Sequence, residues 1–246
     1  MNLEKTLTNL NLNWIRDNIR DEVATAARKQ RSHQEFVERL FAGEQEHRNA
    51  LMIERRLKEA RLPARKSIKD FEWSWPKKIN ADQVRHLFKL GFITDKANAV
   101  FIAGPGLGKT HLAIALACEA CQQQHRVLFT SAAEVVNTLT HAMAVNRLGS
   151  ALRRYLAPAL VVIDELGYAP VDRVGADLLF QVFSGRYERG STIITTNRTF
   201  REWAKTFAND STLASAVVDR VVHHCETVTI EGLSYRLKGQ INPDEK

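Results

Sequence analysis

Five short apolar runs alternate with helix-period stretches between residues 99 and 230, and this alternation narrows the fold more than any other feature of the chain. The runs are AVFIA (99–103), RVLFT (126–130), ALVVID (159–164), TIITT (192–196) and ETVTI (226–230). Most are apolar at consecutive positions, the pattern of strands covered on two sides. Helices are predicted at 109–122, 132–144 and 173–188, with 200–222 in two pieces. Repetition of strand and helix predicts an α/β fold, a five-stranded parallel sheet between two helical layers.

The first strand leads into GPGLGKT (104–110) and then a helix, which is the setting of a phosphate-binding loop. Backbone N–H groups of such a turn, with the helix N-terminus behind them, attract polyphosphate. The pattern wants glycine five residues before Gly108, where this chain has Ala103. Ala103 falls at the strand end, where a methyl fits if φ stays negative. The predicted nucleotide contacts are therefore Gly104, Pro105, Gly106, Leu107, Gly108, Lys109, Thr110 and His111. Lys109 is expected to reach the β- and γ-phosphates of ATP, and the Thr110 hydroxyl to bind Mg²⁺.

Two further strand ends carry matching chemistry. LVVIDE places Asp164 and Glu165 at the carboxyl end of a core strand. The first acid would hold Mg²⁺ through water with Thr110, and the second would polarise the attacking water. STIITTN ends on Asn197, which could touch both γ-phosphate and water, or merely start a turn. Together the three read as a P-loop ATPase of the additional-strand kind. There the strand before Asn197 lies between those leading to Lys109 and Asp164.

Residues 1 to about 62 have no strand-like runs, only apolar positions at helical spacing such as Leu3, Leu7, Leu10, Trp14, Phe36 and Leu40. Ser32 and Glu35 have capping-box spacing and would open a long helix ending before Pro63; Ser131 and Glu134 repeat that spacing. The expected division is a helical domain with a basic linker at 1–69 and the ATPase domain at 70–246. The basic run Arg55, Arg56, Lys58, Arg61, Arg65, Lys66 and Lys69 suits either a solvated face or an arm contacting phosphates. In FEWSWP, Phe71, Trp73 and Trp75 alternate as on a strand. They read as packing the connector onto the next domain, with a place beside a purine as the alternative.

The net charge of +7 favours a polyanionic partner without naming one. No run is apolar enough to span a bilayer, and the first residues are too polar for a secretory signal. The three cysteines, Cys118, Cys121 and Cys225, suit a reducing cytoplasm. Cys118 and Cys121 lie in a helix-period apolar run, and His223-His224-Cys225 read as a strand entry, so a zinc site is not expected from them.

GKTHLAIALACEA, RVLFTSAAEVVNTL, LVVIDELGYAPVDRVGADLLFQVFSGRYERGSTIITTN and STLASAVVDRVVHHCETVTIEGLSYRL closely resemble the IstB-like ATPases. That family belongs to the AAA+ class and is akin to DnaC-type helicase loaders. The resemblance covers nearly all of residues 70–238 and, for the N-terminal region, layout more than letters. It implies a cytoplasmic, ATP-dependent homo-oligomer with ATP at subunit interfaces. Such an oligomer would bind duplex DNA with little sequence preference and help a partner transposase capture its target. It also implies an arginine reaching a neighbour's γ-phosphate, matched here by Arg220, with Arg186 and Arg189 as second choices and Arg236 as a further phosphate sensor. Too few residues follow the last strand for the usual helical lid, as in the lidless relatives. Arg147, Arg153 and Arg154 fall where such relatives face DNA, although a solvated surface explains them nearly as well. The alternatives are a replicative helicase loader, a small-molecule kinase, and a DNA-binding scaffold with a dead nucleotide site.

Overall fold

The computed structural model describes residues 2–238. Contacts divide the chain into two units, residues 1–55 and 56–246. The division falls inside the long third helix, so the basic run from Arg56 onward groups with the second unit.

The first unit is helical: α1 (Leu3–Asn9), α2 (Asn13–Arg28) and most of α3 (His33–Glu59). Its core is small, with Leu7, Ile15 and Leu40 buried and Leu12, Trp14, Ile19 and Phe36 packed around them. Ser32 opens α3 as expected. The Glu35 amide donates to Ser32 Oγ at 3.2 Å, and the Ser32 amide donates to the Glu35 carboxylate at 2.7 Å. Leu12 precedes α2 and has no side chain able to cap it. That work falls to Glu44 of α3, whose buried carboxylate accepts from the amides of Trp14 (2.9 Å) and Ile15 (3.2 Å). Gly43 lets the helices meet, because a Cβ there would stand 2.2 Å from the Trp14 ring.

The second unit holds α4 (Ala81–Leu87), α5 (Gly91–Thr94), β1 (Asn98–Ala103), α6 (Lys109–Gln122), β2 (Val127–Ser131), α7 (Ala132–Ala144) and α8 (Leu148–Leu156). It continues with β3 (Leu160–Leu166), α9 (Arg173–Arg186), β4 (Ser191–Thr196), α10 (Trp203–Thr206), α11 (Ser211–Val222) and β5 (Cys225–Ile230). The five strands form one parallel sheet in the order β2-β3-β4-β1-β5. The strand ending before Asn197 thus lies between those leading to Lys109 and Asp164.

Alternate residues of the strands feed two cores. Ala99, Phe101, Val162, Ile193 and Val228 pack with α6 on one face. Val100, Val161, Ile163 and Ile194 pack with α7, α9 and α11 on the other. Burying each large side chain contributes about 1.5–3 kcal/mol, which fixes the register and aligns the strand ends that carry the polar residues. Cys118 and Cys121 are buried within α6, and burial pushes the Cys121 thiol up to about 12, so this pair belongs to the core. No helix among the described residues is long and apolar enough to cross a membrane.

Two local expectations need correction, and one helix is additional to those expected. FEWSWP is not a strand: a one-turn helix at Ile68–Asp70 runs into turns, and Phe71 and Trp73 meet edge-on with ring centroids 4.9 Å apart. Residues 148–156 form α8, with Tyr155 buried and Leu148 and Leu152 packed on the same core. Only half of the Ser131/Glu134 box forms, since the Glu134 carboxylate turns away to Thr130 Oγ1 (3.1 Å) and Arg154 (3.2 Å).

Candidate functional site

A cleft of about 570 Å³ opens at the carboxyl ends of β1, β3 and β4, a size suited to a small-molecule ligand. Its floor is the turn between β1 and α6. Ala103 is buried, pairs with Ile230, and is absent from the positive-φ residues, so the alanine ends a strand without strain. Left-handed backbone begins at Gly106 (φ 74°) and Gly108 (φ 84°). Both glycines are also crowded. A Cβ on Gly108 would stand 2.6 Å from the Phe71 ring, and one on Gly106 would stand 2.0 Å from Ser234 Oγ. Gly104 meets neither condition, since a Cβ there would touch only Leu107, at 3.7 Å.

Lys109 extends back along the loop, its Nζ donating to the Gly104 carbonyl at 3.3 Å. Desolvation lowers its pKa, opposed by the charges of Asp164 and Glu165 and reinforced by Arg236. Beside it, the Thr110 hydroxyl donates to Asp164 Oδ1 at 2.9 Å, and the same oxygen accepts from Thr195 Oγ1. Asp164 is buried at the end of the sheet, and these two hydroxyls supply hydrogen bonds that its burial requires. A hydroxyl and a carboxylate already in contact form the oxygen donor set a hard divalent cation takes.

Glu165 stands apart from Asp164 because the backbone breaks register there. The β3–β4 pairing shifts between Ile163 and Leu166, and Glu165 adopts φ 59°. A bulge of this kind re-aims one side chain, and the Glu165 carboxylate is exposed on the cleft wall. Its amide donates to Thr195 Oγ1 at 3.0 Å, so one threonine holds both acids in position. Asn197, following β4, and Tyr168, following β3, line the same end.

Another part of the lining is apolar and largely aromatic. Phe71, Trp75, Pro76 and Tyr235 form it, drawn from two segments distant in sequence. Trp75 Nε1 donates to the Leu233 carbonyl (3.0 Å), and the Trp75 and Tyr235 rings meet edge-on at 5.5 Å. The Tyr235 amide donates to the Gly106 carbonyl (2.9 Å), and its hydroxyl to the Glu72 carboxylate (3.2 Å), which also pairs with Lys238. The stretch after β5 is thereby clasped over the phosphate loop by residues preceding β1. Sequence reasoning suggested FEWSWP beside a purine but missed Ser234 and Tyr235. No local pattern announces them.

The remaining predicted residues fall into distinct places. His111 lines the cleft, yet its Nε2 lies 3.1 Å from the Ser67 carbonyl and its ring meets Phe71. Arg236 lines the cleft near Lys109. Arg220 does not line it; it donates to the Ala216 carbonyl (2.9 Å) and rests 5.0 Å over the Phe180 ring. Arg186 is buried and bonds the carbonyls of Tyr155, Pro158, Ala159 and Ser191, which removes it as a residue able to reach another subunit. Arg189 is exposed. Of the three arginines considered for DNA, Arg147 and Arg153 are exposed, while Arg154 pairs with Glu134 and lies over the Tyr155 ring.

Comparison with known proteins agrees with this geometry. The family described as IstB-like ATP binding protein matches residues 5–242. The insertion sequence IS21 ATP-binding protein of Pseudomonas aeruginosa is 37% identical over 236 residues, covering 96% of this chain and 89% of that one. Among solved structures, the DnaC helicase loader superposes with a TM-score of 0.54 at 21% identity, over 67% of this chain and 96% of that one. The replication initiator DnaA bound to AMPPCP and single-stranded DNA gives 0.58 at 17% identity, over 74% and 58%. At such identities these two show the fold alone. With nearly its whole length matched, the chain belongs to the family of IstB-like ATP-binding proteins.

Proposed function

We propose that this chain is a Mg²⁺-dependent ATPase that assembles on duplex DNA and helps a partner transposase capture its target. The observation that carries the ATPase reading is the Thr110–Asp164–Thr195 chain, set between Lys109 and the re-aimed Glu165. Thr110 and Asp164 would hold Mg²⁺, which neutralises charge on the β- and γ-phosphates when bound. Lys109 fixes those phosphates on the Gly104–Gly108 loop. Their γ end then faces Glu165 and Asn197, and the base falls toward Trp75, Pro76 and Tyr235.

In hydrolysis, a water oxygen bonds to the γ-phosphorus as the bond from phosphorus to the bridging oxygen breaks, leaving ADP and phosphate. Glu165 accepts the proton of that water, and Asn197 orients it. Arg236 bears on the phosphates from the same chain. Arg220, outside its own cleft, completes the charge in a neighbour's cleft, which makes ATP a bond between subunits. Arg147 and Arg153 contact DNA phosphates without reading bases, and residues 1–69 form the element that meets the partner or DNA.

The transposase assignment leans on relatives named for insertion sequences, at 37% identity. A helicase-loader role shares only the fold with this chain, at 21% identity. The test is assembly of the full chain on duplex DNA, followed by light scattering. Assembly is expected with ATP and Mg²⁺ and lost in Lys109→Ala; identical assembly without nucleotide contradicts the reading. Capture of a replicative helicase in place of a transposase supports the loader.

A further inference from the structure

We propose a divalent transition-metal site, of the zinc type, formed by Glu188, His223 and His224 away from the nucleotide cleft. Among the described residues these form the one group of three candidate ligands whose donor atoms lie together, all within 4.8 Å of one another. Two imidazoles and a carboxylate match the three-ligand set in which solvent completes the coordination of zinc. Ligand atoms bound at about 2.0–2.1 Å sit roughly 3.3–3.4 Å apart around a tetrahedral ion, so the group must draw in modestly. All three side chains are exposed.

A second observation concerns how one ligand is held. The Tyr187 hydroxyl lies 2.8 Å from His223 Nδ1. Were Nδ1 the donor to that oxygen, the Nε2 lone pair of His223 would be left for the metal. An outer partner that fixes the tautomer in this way is the usual companion of a metal-bound histidine. His224 is placed by its own backbone, since its carbonyl accepts from the Asn98 amide at 2.7 Å where β1 begins. Glu188 is held at φ 56° just beyond α9, which turns it toward the end of α11.

The site explains residues that the nucleotide chemistry leaves unused. Cys225 stands next to His224 but belongs to β5, where burial pushes its thiol up to about 11, so it is no ligand in this set. A bound ion would join the end of α9 to the end of α11. Arg220 lies one turn before His223 on α11 and rests on Phe180 of α9, so the ion would clamp the helix pair that presents this arginine.

The test is titration of the full chain with Zn²⁺ alone, without nucleotide, against a chromogenic chelator. One saturable equivalent is expected, weakened more than about 100-fold in the H223A/H224A double variant and about 10-fold in Tyr187→Phe, the positioning residue. Thermal unfolding of the same variants without metal should match the unsubstituted chain, which separates lost ligands from lost fold. No saturable binding, or binding unchanged in the double variant, overturns the site. Equal affinity in Tyr187→Phe overturns the positioning role.

Discussion

Thr110 and Asp164, 54 residues apart in sequence, share a hydrogen bond of 2.9 Å at the mouth of the sheet. The contact forms because β1 and β3 flank β4 in one parallel sheet, so the start of α6 and the end of β3 reach the same edge. It places a hydroxyl and a carboxylate together at the end of the sheet. Thr110→Ala removes the hydroxyl and should weaken Mg²⁺-dependent ATP binding roughly 10-fold, while Thr110→Ser should retain it. Equilibrium binding with and without Mg²⁺ checks both; equal affinity for Thr110→Ala contradicts the role.

The aromatic lining of the cleft makes a separate forecast. Stacking of a base on an aromatic side chain is worth about 1–3 kcal/mol, so Trp75→Ala should weaken ATP binding roughly 10-fold. Binding of inorganic tripolyphosphate, which has no base, should be unchanged. Equal losses for both ligands would mean that Trp75 only holds the segment after β5 in place, through its bond to Leu233.

Much of this site is legible in the chain because its parts are local. Strand, glycine turn and helix follow one another from Ala99 to Gln122, and Asp164 and Glu165 end an apolar run. What stayed hidden depends on long-range contact. The clasp joins Trp75 to Leu233 across 158 residues, and the alternation in FEWSWP points to a strand where the chain forms turns. Helix α8 was missed because Arg147 offers no side-chain cap and the stretch is short. Arg186 and Arg189 look alike in sequence; only the packing of β3 and β4 shows that one is buried.

Arg186 and Arg220 should therefore behave oppositely when replaced. Arg186 is held by carbonyls in the core, and burial lowers its pKa to about 10. Arg186→Met leaves those carbonyls unpaired and should cost about 3 kcal/mol in unfolding free energy, read by urea titration. Arg220→Ala should leave stability within about 0.5 kcal/mol, and should lower ATP turnover by at least about 100-fold with ATP affinity retained. Full turnover in Arg220→Ala would reject its role between subunits.

Glu44 links pH to the helical unit. Burial pushes its pKa up, but bonds from Arg48 and from the Ile15 and Trp14 amides outweigh this and hold it below the ordinary glutamate value. A carboxyl depressed by folding stabilises fully above its unfolded pKa, and that contribution is lost as pH falls through the folded value. Hydrogen-exchange protection of the Trp14 and Ile15 amides should then fall as pH drops below about 4.3, after correction for intrinsic rates. Glu44→Ala should reduce that protection by about 1–3 kcal/mol at neutral pH. Unchanged protection would show that the cap contributes nothing.

The central claim is that this cleft hydrolyses ATP, with the bulge at Glu165 supplying the proton acceptor. Glu165→Gln tests it most directly, because the substitution keeps shape and removes only the basic carboxylate. Measured side by side, ATP affinity should stay within about two-fold of the unsubstituted chain while turnover falls by about 10²–10⁴. Turnover that survives in Glu165→Gln would contradict the account.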